Sequence, residues 1–226
     1  MSNGGTRPGV APEAPPLAGL QRFLARSQAP KPRPGERCDM CGEPIAAEHS
    51  HVVNVHSRSL MCTCRPCYLL FMTPGAAQGR YKAVPDRYLY DPAFALSSRE
   101  WDEIQIPVKM AFFFVNSELG RFGAFYPSPA GATESLLPLD VWETVMAANP
   151  RFATVEPDVE ALLLNRDQDS CECFLAPIAV CYELVGRVKL HWKGFSGGEE
   201  VWGEIDAFFA DLRQKSRLVE TGQSNE

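Results

Sequence analysis

The residues best equipped for chemistry in this 226-residue chain are its eight cysteines, five between positions 38 and 67 and three between 171 and 181. Cys38-Asp-Met-Cys41-Gly42 has the form of a metal knuckle. Two intervening residues let both sulfurs converge on one ion at about 2.3 Å, and the following glycine permits the tight turn. After 22 residues comes Cys64-Arg-Pro-Cys67, a second pair of the same spacing. Cys38, Cys41, Cys64 and Cys67 together make a four-thiolate tetrahedral set, which zinc fills as a structural ion with no place left for a substrate water. Iron in the same cage would give a rubredoxin-like electron carrier. That family repeats C-x-x-C-G in both knuckles, whereas here Tyr68 follows the second pair, a departure that favours zinc. Cys62 complicates the assignment. Residues two apart on a strand face the same way, so Cys62 and Cys64 compete for the third position, and knuckle spacing to Cys67 favours Cys64. Cys62 is then a supporting thiol, an alternate ligand or a redox-active spare, and five thiolates also suit an iron–sulfur cluster. A dithiol redox couple, or His49, His51 or His56 in place of one cysteine, stay open.

Elsewhere the chemistry thins out. Cys171-Glu-Cys173 sets two thiols on one strand face with Cys181 nearby in sequence, a pattern better suited to core packing than to a second metal or redox site. His191 beside Trp192 reads as packing or a local hydrogen bond. The glycine-rich Trp192–Trp202 stretch lacks the G-K-[ST] ending of a phosphate loop and carries Glu199, Glu200 and Glu204, which repel phosphate. A capped turn whose tryptophans face a partner is the better account. Acids such as Asp158, Glu160, Glu183 and Asp206 are scattered, with no base or nucleophile to pair with, and no catalytic residues are assigned.

The elements that must position the four cysteines follow from local pattern. His51-Val-Val-Asn-Val55, a turn at His56–Ser59 and Leu60-Met61 read as a hairpin, and the second pair leads into Tyr68–Met72, halted at Pro74-Gly75. Knuckle, hairpin and short helix describe a small treble-clef or zinc-ribbon-like module over residues 36–95. Beyond it, Ser97–Glu100 has capping-box spacing. Val108–Asn116 is almost continuously apolar, like a strand buried on both faces, and turns into Arg121–Tyr126. Asp140–Glu143 opens a helix ending at Asn149-Pro150. Val159–Asn165 and Cys171–Ala176 form a second hairpin, Pro177 starts a helix to about Leu190, and Ser196–Glu199 caps a last helix with Val201, Ile205, Phe208, Phe209 and Leu212 on one side. The fold class is therefore α+β: residues 96–216 form a four-stranded antiparallel sheet with helices on one face, and 217–226 a flexible end.

Residues 1–35 hold seven prolines and five glycines, the composition of a disordered tail. Within it Leu17, Leu20, Phe23 and Leu24 fall at helical spacing, enough for a docked turn. Charge divides by segment. Residues 1–37 carry six basic and two acidic groups, 38–100 six of each, and 101–226 ten basic and twenty acidic. A net charge of −6 argues against a nucleic-acid partner. The longest strongly apolar run, Met110–Val115, is far too short to span a bilayer. No secretory leader precedes the body, so a cytoplasmic, reducing setting is expected, where clustered cysteines bind metal more readily than they pair.

The chain also resembles a bacterial family of unknown function. The resemblance runs through C-x-x-C-G, C-x-C-R-x-C, Arg80-Tyr81, Val84–Arg87, Ile106-Pro107, Ala111–Phe113, Asn116-Ser117 and Phe125–Pro127, then Ala130–Glu134, Glu156–Leu162, Cys181–Gly186 and Trp192-x-Gly-Phe-Ser-Gly-Gly198. It covers about residues 36–215. Members are often encoded beside nickel–iron hydrogenase structural and maturation genes. The resemblance therefore implies an accessory role in hydrogenase assembly or electron transfer, with a hydrogenase subunit or maturation factor as partner. It supplies no catalytic residues.

Overall fold

The computed structural model describes residues 37–135, 140–167, 170–194 and 197–219. Leu17, Leu20, Phe23 and Leu24, and the C-terminal segment beyond residue 219, lie outside these. The described residues all fall in one unit by their contacts, and they build two sheets.

The smaller sheet is antiparallel, in the order β2-β1-β3. Strands β1 (Ser50–Asn54) and β2 (Ser59–Thr63) form a hairpin, α1 (Arg65–Leu69) follows directly, and β3 (Tyr81–Ala83) returns along β1. The larger sheet has seven strands, β10-β4-β9-β8-β5-β6-β7. Its centre consists of the two hairpins the sequence predicts: β5 (Met110–Asn116) with β6 (Arg121–Ser128), and β8 (Glu160–Arg166) with β9 (Cys171–Pro177). The expectation of four strands is corrected by three flanking strands, β4 (Leu89–Asp91) and β10 (Arg217–Leu218) on one side and β7 (Gly131–Ser135) on the other. The edges are short or mix polar and small residues, so they carry little of the apolar alternation by which strands are recognised. All pairings are antiparallel except β10 with β4.

The helices also lie on both faces of the sheet, not on one. Met110, Phe112, Ala161, Leu163, Phe174 and Ala176 meet α4 (Ile178–His191) and α5 (Gly198–Lys215). Ala111, Phe113, Leu162, Leu164, Cys173 and Leu175 meet α2 (Ser98–Ile104), α3 (Asp140–Ala148) and the 3-10 turn at Pro150–Phe152. The cause is visible in β8, where Leu162, Leu163 and Leu164 are all fully buried. Consecutive strand residues point to opposite faces, so three in a row need cover on both. On the second face Trp142 stacks on Phe113 with centroids 3.7 Å apart. Helix α2 begins with the expected capping box, Ser97 Oγ accepting from the Glu100 amide while the Glu100 carboxylate accepts from the Ser97 amide. Ser196 lies outside the described residues, and α5 is capped by Gly197 at φ +88°.

The small sheet rests on the large one. Val53 and Val84 join the core beneath α4 and α5. At the edge of the contact Lys82 donates to Asp158 at 2.7 Å and to the Pro157 carbonyl, and His56 meets Glu118 at 2.9 Å. Between the sheets lies a cavity of about 300 Å³ lined by Val53, Leu60, Phe112, Phe114 and Phe125. No described helix is long and apolar enough to cross a membrane.

Candidate metal centre

A knuckle and the start of a short helix deliver Cys38, Cys41, Cys64 and Cys67 to one point. The knuckle is closed by backbone bonds, Gly42 N to Cys38 O and Cys38 N to Glu43 O, both 2.8 Å. Gly42 makes this turn at φ +77°, where a side chain would be strained. Asp39 fixes the knuckle to β2: its amide donates to the Cys62 carbonyl at 2.8 Å, and its carboxylate accepts from the Cys62 amide at 2.7 Å. Strand β2 ends at Thr63, and Cys64 stands as the N-cap of α1 with Pro66 in its first turn. Cys67 lies one turn further on, so a short helix, not a second knuckle, presents the second pair. Tyr68 anchors that helix, buried and donating its hydroxyl to the Val84 carbonyl at 3.1 Å.

The four sulfurs lie within 4.8 Å of one another, and Cys41 Sγ is 3.6 Å from Cys64 Sγ. The cluster could hold a metal ion. Its donor set is wholly thiolate and fills four corners, which suits a closed structural site. Cys38 is 2% exposed. Burial raises its thiol, but the amides of Cys64, Cys41 and Met40 donate towards the sulfur and bring it down to about 6. Cys67 is pushed up to about 12, first by burial and then by its hydrogen bonds to the Cys64, Cys41 and Cys38 thiols. Within the cluster the amide dipoles around Cys38 favour its thiolate, the form in which cysteine binds a cation.

Cys62 is not in this cluster. It stands directly across the hairpin from His51, and with His49 and His51 forms a second group whose donor atoms also lie within 4.8 Å of one another. The competition between Cys62 and Cys64 ends because the chain leaves the strand at Thr63. Each of these residues stands out in the sequence, but their grouping does not. The missing signal was the hairpin register, which sets His51 opposite Cys62. Burial first, then the neighbouring His49, hold His51 down to about 4 against the pull of Asp39, so its imidazole is neutral. His56 is elsewhere, on Glu118.

Cys171, Cys173 and Cys181 are buried core residues. Cys171 and Cys173 belong to one face of the large sheet and Cys181 to the other. Burial pushes Cys171 up to about 12 and raises the other two as well, as expected for inert core thiols. His191 makes its local bond, to Glu200 at 3.0 Å. Trp192 and Trp202 lie 6.5 Å apart, Trp202 partly exposed.

Comparison with known proteins adds a family and nothing finer. A family model described as a family of unknown function, DUF5947, matches residues 37–216. The chain belongs to this family. The match begins just before Cys38 and ends just after α5, so it spans the cysteine cluster and both sheets except the edge strand β10. No curated protein and no solved structure matches the chain.

Proposed function

We propose that the chain is a non-enzymatic accessory protein that holds one zinc ion at Cys38, Cys41, Cys64 and Cys67 and works through protein–protein contacts. The partner in this reading is a nickel–iron hydrogenase subunit or maturation factor, an assignment that comes from the gene neighbourhood of the family the sequence resembles. The observation carrying the metal is the convergence of four sulfurs from a knuckle and a helix N-terminus within 4.8 Å. Zinc is favoured over iron because the second pair sits on a helix headed by Cys64 and followed by the buried Tyr68. A rubredoxin-like cage, with two glycine-ended knuckles, would need a turn at that place. The order of knuckle, hairpin and short helix is that of a treble clef. Exposed Leu69, Leu70 and Met72 directly after the last ligand supply an apolar contact surface beside the ion.

Metal analysis of freshly purified protein tests the first half. Near-stoichiometric zinc and a colourless preparation are expected. A red, reducible preparation with iron in place of zinc would replace this reading with electron transfer. Affinity purification from cells expressing the hydrogenase tests the second half, and a pulldown free of hydrogenase and maturation proteins counts against it.

A further inference from the structure

The cluster of His49, His51 and Cys62 is a second constellation of donor atoms, made of residues the four-thiolate site does not use. Three features give it the form of a ligand set. The first is register: His51 and Cys62 are a directly opposed cross-strand pair, so their side chains rise from the same face of the hairpin. His49, two residues before His51, comes up on the same side, and the two rings lie 4.6 Å apart, tilted by 47°.

The second feature is the orientation of His49. Its Nδ1 lies 3.0 Å from the Ala46 carbonyl and 3.1 Å from the Ala47 carbonyl. Both neighbours are acceptors only, so Nδ1 carries the proton and donates it, and Nε2 keeps its lone pair. That Nε2 is buried and has no hydrogen-bond partner among the described residues. A buried acceptor with nothing to accept from is rare in a native fold. A histidine whose other nitrogen is pinned to backbone carbonyls is the usual form of a metal-bound histidine.

The third feature is reach. Bonds of about 2.0–2.3 Å from an ion to nitrogen and sulfur span about 4 Å between donors. Donors within 4.8 Å of one another therefore close on an ion by side-chain rotation alone. The strand position of Cys62 is held by two hydrogen bonds, its carbonyl accepting from the Asp39 amide and its own amide donating to the Asp39 carboxylate, so the site stands on a hairpin tied to the first centre.

We propose that His49 Nε2, His51 and the Cys62 thiolate form a second site, of three protein ligands, for a borderline divalent transition metal such as Zn²⁺ or Co²⁺, its fourth position left to water or an exogenous ligand. Two imidazoles and one thiolate are the donor chemistry of zinc and its neighbours, not of calcium or magnesium. With three protein ligands against four, this ion binds more weakly and exchanges faster than the one among the four cysteines. The protein then carries one closed centre and one open centre, and ligand or metal exchange belongs to the open one.

Full-length chain, stripped of metal and kept reduced, is titrated anaerobically with Co²⁺ while thiolate-to-cobalt charge transfer and the visible d–d bands are followed. Two successive equivalents are expected, the second with a different d–d spectrum that reports mixed nitrogen and sulfur donors. Cys62→Ser and, separately, His49→Gln each remove the second equivalent and leave the first, whose survival shows that the hairpin and knuckle are still folded. Failure of the four-thiolate reading looks different: the tight step is missing, yet wild type and Cys62→Ser still differ by one equivalent. Equal uptake and equal spectra for wild type, Cys62→Ser and His49→Gln overturn the proposal.

Discussion

The two sheets of this molecule are held together by different means. In the seven-stranded sheet, stability is spread along strands such as β8, whose Leu162, Leu163 and Leu164 are fully buried between two layers of helices. In the three-stranded sheet with its knuckle and α1, the buried apolar side chains are few: Cys38, Val52, Val53, Val55, Tyr68 and Val84. That is too little apolar area for a unit of this size to fold alone, and small units of this kind need a staple. An ion held by the four converging sulfurs would supply it. A stapled unit fails when one donor is removed, whereas a layered core fails by degrees as packing is lost. The cysteine-rich region should therefore be separable from the body by chemistry that touches only sulfur.

Metal removal is the strongest way to break the contrast. Binding of a structural zinc is worth on the order of 10 kcal/mol, which becomes folding free energy where the unit has no other core. A chelator strong enough to strip the ion, or Cys38→Ser, is expected to abolish amide exchange protection over residues 38–84. Protection in β5, β8, β9 and α5 should remain. Simultaneous loss of protection in both regions would mean that the two sheets fold as one cooperative unit and that the contrast is false.

A smaller effect comes from within the body. Glu160 is fully buried, and its carboxylate is held by Arg87, which donates from Nε at 2.8 Å and from Nη2 at 2.5 Å, and by the Glu156 amide. Arg87→Met leaves a buried carboxylate without its cation. The penalty for breaking such a pair is about 3 kcal/mol, at the low end of the usual range because Arg87 is itself 38% exposed. Urea unfolding should show this loss as a lower midpoint with metal content unchanged. Arg87 lies between β3 and β4, so a change in metal content would show that the body supports the cysteine centre through more than the shared packing of Val53 and Val84.

How far these features could be read from the sequence depended on whether the signal was local. The knuckle is a five-residue pattern, and the central hairpins are runs of apolar residues bounded by turns, so both were legible. The run Val108–Asn116 even indicated two covered faces, which the expectation of helices on one side left unused. Edge strands such as β10 were not legible, since two residues carry no period. The grouping of Cys62 with His49 and His51 depends on which residues face each other across a hairpin. Register is set by the turn at Asn54–Ser59, where the Asn54 carboxamide accepts from the Ser57 amide and Arg58 adopts φ +51°. An arginine in that conformation announces nothing in sequence.

The seam between the two sheets offers a milder, pH-dependent test. Asp158 is largely buried. Desolvation raises its carboxyl, but hydrogen bonds from Lys82 and Ser117 outweigh this and hold it below the usual 3.8. A carboxylate depressed in the folded state contributes stability that is present above its unfolded pKa and disappears as pH falls through the folded one. Lys82→Met should cost about 1–2 kcal/mol at neutral pH. It should also flatten the decline in stability below about pH 4, because the favoured state of Asp158 no longer differs as much between folded and unfolded chains. Unfolding midpoints of wild type and variant measured from pH 3 to 7 check both points, and parallel curves would show that Lys82 does not set the acid behaviour of the seam.

The smallest effect on stability is expected where the proposed function is most exposed. Leu69, Leu70 and Met72 follow Cys67 of the four-sulfur cluster, at 48%, 66% and 55% exposure, while apolar side chains of comparable size in the body are mostly covered. A side chain that buries little contributes little to folding, so Leu70→Ser should move the unfolding free energy by no more than about 0.5 kcal/mol. An exposed apolar group beside a rigid centre still presents a fixed shape to a partner, and one anchor of this kind can dominate an interface. Loss of the co-purifying partner in Leu70→Ser, with metal content and stability unchanged, would locate the contact on the cysteine-rich unit. An undiminished pulldown would move it to the acidic body, and the division of labour between a stapled contact unit and a layered support would then be reversed.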